Sequence, residues 1–419
     1  MKTGVAPCGM QYAVKRGGRA VAWCALSIGC GTRDEAGYPA GIAHFVEHTM
    51  FRGTLRKSAA VINGYLDRLG GELNAYTTKE EIVLHATVLK EDLCKAVRLL
   101  FELAFEATFP DSEIQTERGV ILDEIISYKD NPAEDVYDRF ESLLFEGTPL
   151  STPILGTTAS VKKITPAMLR KFVQERFVPG RMALTVVADL PEDKLAEKVL
   201  KLIAPALALS PGCSAAGTSA LYSGPAAESP VAHGGAAFNK VVDKRHHEVN
   251  AVMGGFAPSL YEMPQRLVAA MLTNIVGGPA SNSLLNAELR ERRGWVYGIE
   301  CSYTQYADTG IVAISFGCDR SNLEKCQAAV RRVLDRLMEA PLSAGRLRSY
   351  RKQLLAQLAV SGESGEAQCL SMGKSLLAWG RIMTPEETRQ ALEAITPSQL
   401  QAMARQLFAP DRLSSLIYL

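Results

Sequence analysis

His44-Phe45-Val46-Glu47-His48 sets two imidazoles and a carboxylate inside one short stretch, bounded by Pro39 before it and Gly53 after it. Proline favours the first turn of a helix and glycine its end, so the spacing predicts a helix from Ala40 to Phe51, about three turns long. At about 100° per residue, His44, Glu47, His48 and Phe51 fall within an arc of about 100°. Two imidazoles one turn apart can grip a single metal ion with Glu47 beside it, the reverse residue order of the commoner HExxH arrangement. Helical histidines are more often polar surface or satisfied core groups, so a third ligand elsewhere in the chain must decide between the readings.

The run Asp111 to Lys129 supplies a candidate. It follows Phe109-Pro110, opens with cap residues, stops at Asn131-Pro132, and reads as one helix despite Gly119. Its apolar stripe is Ile114, Ile121, Ile125 and Tyr128, with Val120 at the margin. Glu117 and Glu124 lie in or at the edge of that stripe, roughly 20° apart, whereas Asp123 projects about 100° from Glu124. An inward carboxylate without compensation is costly, so it has a cation or hydrogen-bond donors waiting, either a metal or an arginine.

At this point the chain resembles the inverted-motif zinc metallopeptidases of the pitrilysin, insulysin and mitochondrial processing peptidase family, closest to its short two-domain bacterial members. The family carries HxxEH and then a helix with two glutamates seven apart, met here by His44, Glu47, His48, Glu117 and Glu124. The resemblance implies one Zn2+ per chain on His44, His48 and Glu124, with Glu117 supporting the ligands and Glu47 as catalytic base. Gly70-Gly71-Glu72-Leu73-Asn74-Ala75-Tyr76-Thr77 is similar to the family's GGxxNAxT segment, which implies that Asn74, Ala75, Tyr76 and Thr77 bind substrate as an added strand. Leu289 to Tyr297 resembles the LRxxxGxxY stretch, which implies that Arg290 and Tyr297 hold the substrate backbone near the zinc. The preceding Gly277-Gly278-Pro279-Ala280-Ser281-Asn282-Ser283 resembles the family's glycine-rich turn but departs from it in its Pro and Asn, and Trp295 is bulkier than the usual aliphatic residue.

Length and composition fit this reading. A chain of 419 residues with 47% hydrophobic content exceeds a typical single domain. Its formal net charge of +1, with no basic stripe, argues against a nucleic-acid partner, and no apolar run has transmembrane length. Met1 to Cys8 lacks a secretory apolar region, and the nine cysteines include no CxxC pair, so the expectation is a cytoplasmic protein with reduced thiols. His85, His233, His246 and His247 keep no ligand spacing to the motif and are expected to be structural or surface groups.

The chain also repeats itself. Ile164-Thr165-Pro166 with Phe177, Pro179 and Arg181 recurs at identical internal spacing as Ile395-Thr396-Pro397 with Phe408, Pro410 and Arg412. Two homologous domains are expected, a zinc-bearing one at 1–209 and a substrate-holding one at 240–419, joined by an Ala/Gly/Ser/Pro-rich connector at 210–239. Strands at the edges of each half and long amphipathic helices between them predict an α+β fold, mixed mostly antiparallel sheets with helices on one face. The family resemblance implies that the halves face each other across a cavity. Leu354 and Leu355 stand near the place equivalent to Glu124, so only the first half is expected to bind zinc.

The chemistry so implied is endopeptidase cleavage of extended or unfolded peptides, with water activated by Glu47. A noncatalytic scaffold or a processing subunit that works with a related chain is the alternative, and the intact HxxEH with Glu124 counts against the scaffold. Arg290 and Tyr297 within the same chain favour a self-sufficient protein, expected as a homodimer, over a heterodimer.

Overall fold

The structure, a computed structural model, describes residues 1–18, 20–207, 237–245 and 247–419. The connector expected at 210–239 lies, up to residue 236, outside the described residues, as do Cys213, His233 and His246.

The two Ile-Thr-Pro repeats begin helices in the same way. Thr165 accepts the Met168 N–H at 3.3 Å to cap helix Pro166–Arg176, and Thr396 accepts the Gln399 N–H at 3.3 Å to cap helix Pro397–Phe408. A threonine cap relieves an orphan donor, and proline at the first helical position gives up an N–H that had no partner anyway.

Equivalent sheets follow from the repeat. The first contains β1 (Lys2–Val5), β2 (Gln11–Arg16), β3 (Val21–Ile28), β4 (Glu72–Thr77), β5 (Ile82–Leu89) and β6 (Met182–Ala188), in the order β1-β2-β6-β3-β5-β4. The second contains β7 (Asn239–Val242), β8 (Glu248–Ala257), β9 (Val296–Gln305), β10 (Gly310–Asp319) and β11 (Ser414–Tyr418), in the order β7-β11-β8-β10-β9. In each sheet one pair is parallel, β2 with β6 and β7 with β11, and the other pairs are antiparallel. The α+β class and the mixed sheets match the expectation.

The compact units do not follow chain order, unlike the expected division at 209 and 240. The described residues of the first unit are 1–18, 20–127, 147–207 and 360–382, and those of the second are 128–146, 237–245, 247–359 and 383–419. Helix Pro132–Leu144 therefore packs in the second unit, and helix Gly365–Trp379 in the first.

On the first sheet, Leu26, Ile28, Leu84 and Val186 join a large core with helices Ile42–Met50 and Leu93–Glu106. The opposite face carries Ala13, Ala25, Val83, Ala183 and Val187 against Cys369, Met372, Leu376 and Leu377 of helix Gly365–Trp379. Small sheet residues admit the helix closely, and a Cβ at Gly365 would stand 2.2 Å from the Trp23 ring. The first sheet thus has helices on both faces, where one face was expected. Chain order conceals this, because the covering helix comes from the far half of the sequence.

Among the described residues β4 is an edge strand that pairs only with β5. Among the described residues no helix is long and apolar enough to cross a membrane.

Candidate metal centre

Helix Ile42–Met50 is positioned by its apolar side and its N-terminus. Ile42, Phe45, Val46 and Met50 are fully buried, and burial of each such side chain stabilises by roughly 1.5–3 kcal/mol, so the packed face fixes the helix and frees the other for polar work. Gly41 enters the helix in the left-handed region at φ 87°, and a Cβ there would stand 2.7 Å from Leu155 O.

The buried Glu35 carboxylate closes the N-terminus, accepting the Gly41 and Ala43 N–H groups at 2.9 Å each. Burial pushes the Glu35 carboxyl up from 4.5 to about 7, with the two backbone donors and Lys79 pulling it down. A folded value above the unfolded one means that the folded chain holds this proton more readily. Stability from this group is therefore present below pH 4.5 and is lost as pH rises to about 7. The difference in unfolding free energy between wild type and Glu35→Gln is expected to change across that window and to level off above it; a difference independent of pH would contradict the assignment.

The second helix, Asp111–Asp130, buries Ile114, Glu117, Ile121 and Ile125 along one stripe, as its periodicity predicts. Glu117 is 1% exposed and Glu124 is half-buried, whereas Asp123 faces solvent.

Three donor atoms from the two helices converge. Glu124 Oε2 lies 3.7 Å from His44 Nε2 and 3.4 Å from His48 Nε2, and all three residues offer donors within 4.8 Å of one another. Among the described residues this is the one cluster of three or more His, Cys, Asp or Glu with such a spacing. Zinc bonds of about 2.0–2.1 Å in a tetrahedron separate ligand atoms by about 3.3 Å, close to the separations seen. Glu124 Oε2 is buried without a hydrogen-bond partner, and two imidazoles with one carboxylate form a donor set suited to zinc. The residues present therefore fit the metal.

The two imidazoles sit in different electrostatic surroundings. Burial lowers the His44 imidazole to about 4, helped by His48 and opposed by Glu124, which keeps it neutral with a free lone pair. Burial also works against charge on His48, but the neighbouring Glu124 and Glu117 carboxylates outweigh it and raise that imidazole. The contact with His48 holds the Glu124 carboxyl below its usual range in spite of partial burial.

Around this trio stand three further groups. His48 Nδ1 is 3.1 Å from Glu117 Oε2, a position from which Nδ1–H donates to the carboxylate, and the Arg52 guanidinium forms an ion pair with Glu117 Oε1. Glu47 is not among the converging atoms; its Oε2 accepts the Thr77 hydroxyl at 2.8 Å. Burial raises the Glu47 carboxyl, with Thr77 and His48 opposing.

Among the residues read as substrate-binding, Thr77 thus contacts the expected base directly. Ala75 packs with the core on the same side as the metal helix, whereas Tyr76 belongs to the opposite face and meets the His85 ring at 6.2 Å. Asn74 is exposed and pairs with His85 across the strands, and His85 Nδ1 lies 2.9 Å from Glu366, a structural role as expected. Arg290 and Tyr297 belong to the second unit. Arg290 is exposed on the π-helical turn Asn286–Glu291, and the exposed Tyr297 donates its hydroxyl to Asp319 at 2.7 Å.

Helix Ala344–Ser361 of the second unit carries Leu354 and Leu355 packed against an apolar core. Glu35, Arg52 and the Thr77 contact were not read from the sequence. Only Arg52 left a local signal, its place four residues after His48.

Residues 13–158 match the insulinase family, peptidase family M16, and residues 163–354 match the peptidase M16 inactive domain. A protein of Bacillus subtilis described as an uncharacterized zinc protease is 28% identical over 390 residues, covering 93% of this chain and 91% of its own. One from Streptomyces coelicolor with the same description is 27% identical and covers 90% of this chain and 80% of its own. The crystal structure of a protease from Helicobacter pylori superposes with a TM-score of 0.89 at 19% identity, covering 100% of this chain and 99% of the other. A peptidase M16 inactive domain from Pseudomonas fluorescens superposes with a TM-score of 0.85 at 17% identity, covering 100% and 97%.

Proposed function

Because the chain belongs to the insulinase family of peptidases, family M16, we propose that it is a zinc-dependent endopeptidase that hydrolyses extended or unfolded peptides. The observation that carries this reading is the meeting of His44 Nε2, His48 Nε2 and Glu124 Oε2, with the Glu47 carboxylate beside them and bound to none. A zinc ion held by these three residues supplies Lewis acidity to a water molecule and to the peptide carbonyl.

The chain's own groups do the rest. Glu47 takes the proton of the attacking water at its carboxylate and returns it to the leaving amine. Thr77 orients Glu47 by its hydrogen bond, which ties the base to the end of β4. The free edge of β4 offers unpaired backbone groups to an extended substrate, and an edge of that kind binds chain rather than a particular side chain. Folded proteins cannot present such a strand, so the substrates are oligopeptides and flexible segments. Arg290 and Tyr297 hold the substrate backbone, and the chain works as a cytoplasmic homodimer without a second family member.

Digestion of a peptide library by the metal-stripped protein, before and after addition of zinc, tests the reading. Cleavage restored by zinc in stoichiometric amount is the expected result; cleavage unaffected by stripping, or none on reconstitution, would refute it. Tyr297→Phe is expected to lower kcat/KM by about tenfold with zinc content unchanged, since one hydrogen bond to a developing charge is lost. Unchanged kinetics would remove Tyr297 from the site.

A further inference from the structure

We propose that Arg52 is a positioning residue for the metal site, acting through Glu117 to hold the His48 imidazole in the tautomer and orientation that bind zinc; the inference rests on the zinc reading above. Arg52 lies in the turn that closes the metal helix, four residues after His48, and both side chains reach the same carboxylate of the facing helix. The two oxygens of Glu117 have separate partners. Oε1 takes the Arg52 guanidinium, and Oε2 lies 3.1 Å from His48 Nδ1.

A cation held on one oxygen fixes the rotation of the carboxylate, and the other oxygen then faces the ring. With the ring proton on Nδ1, Nε2 keeps its lone pair directed toward Glu124 Oε2 at 3.4 Å. Glu117 is 1% exposed, and a buried anion needs a compensating charge; among the described residues Arg52 is the cation paired with it. Arg52 itself is about one-third exposed at its side chain (32%), so shortening it empties no core space. Its contribution passes through Glu117 to the metal ligand.

The test is the zinc dissociation constant of the full chain, stripped and titrated in competition with a chromophoric chelator. The proteins compared are wild type, Arg52→Met, Arg52→Lys, Glu117→Gln and the double variant Arg52→Met/Glu117→Gln. Arg52→Met is expected to weaken zinc binding by roughly tenfold, within the range typical of groups that orient a metal ligand. Arg52→Lys should recover most of that loss, because an ammonium still pairs with Oε1. In the Glu117→Gln background Arg52→Met should add nothing further, since the carboxylate through which it acts is gone.

Affinity within about twofold of wild type in Arg52→Met, or the same loss in both backgrounds, would overturn the proposal. Should Arg52→Met fail to fold, Arg52→Gln takes its place under the same two criteria. Wild type that binds no zinc would remove the zinc reading and this inference with it. Wild type that binds zinc, alongside Arg52 variants that bind it equally well, would remove this inference alone.

Discussion

Glu47→Gln is expected to lose about 10²–10⁴-fold or more of its peptide-hydrolysing rate at unchanged zinc content. The substitution is nearly isosteric, and Glu47 contributes none of the three converging donor atoms. What it removes is an oxygen able to accept a proton. The Thr77 hydroxyl at 2.8 Å still finds an acceptor in the amide oxygen, so the side chain keeps its place while its basicity disappears. Burial raises the Glu47 carboxyl above the ordinary range, which suits a group that must take a proton and then surrender it. Turnover near that of wild type, measured on the same zinc-loaded preparation, would end the assignment of this residue as the base.

The second large effect concerns metal retention. Glu124→Ala and His48→Ala are each expected to weaken zinc binding by more than the roughly 10–100-fold that loss of an orienting neighbour costs, because a direct ligand is deleted. Asp123→Ala, one position away, is expected to bind zinc as wild type does, since Asp123 projects to solvent about 100° around the helix from Glu124. The pair of measurements tests helical phase as well as chemistry. Equal loss in Asp123→Ala and Glu124→Ala would show that the carboxylates act through bulk charge rather than by coordination.

Much of the metal centre was legible in the sequence because helical periodicity is a local code. The spacing of His44, Glu47 and His48 fixes a common face, and the stripe Ile114, Glu117, Ile121 and Ile125 is buried as its period predicts. The internal repeat was legible for the same reason, as Thr165 and Thr396 are helix caps whose role depends only on their neighbours. Contacts that belong to no periodic pattern left no such trace. Glu35 closes the metal helix through backbone N–H groups that belong to no motif, and Thr77 reaches Glu47 only because β4 lies beside that helix. The exchange of helices Pro132–Leu144 and Gly365–Trp379 between units is likewise invisible to chain order. An apolar helix face declares that it will be covered, and it does not declare by which sheet.

X-ray absorption at the zinc edge of the reconstituted protein tests the central claim most directly. One zinc per chain is predicted, with two imidazole nitrogens and a carboxylate oxygen at about 2.0–2.1 Å, and with the imidazole signal halved in His44→Ala. Sulfur in the coordination shell, or a spectrum that His44→Ala and Glu124→Ala leave unchanged, would place the metal elsewhere and contradict the account.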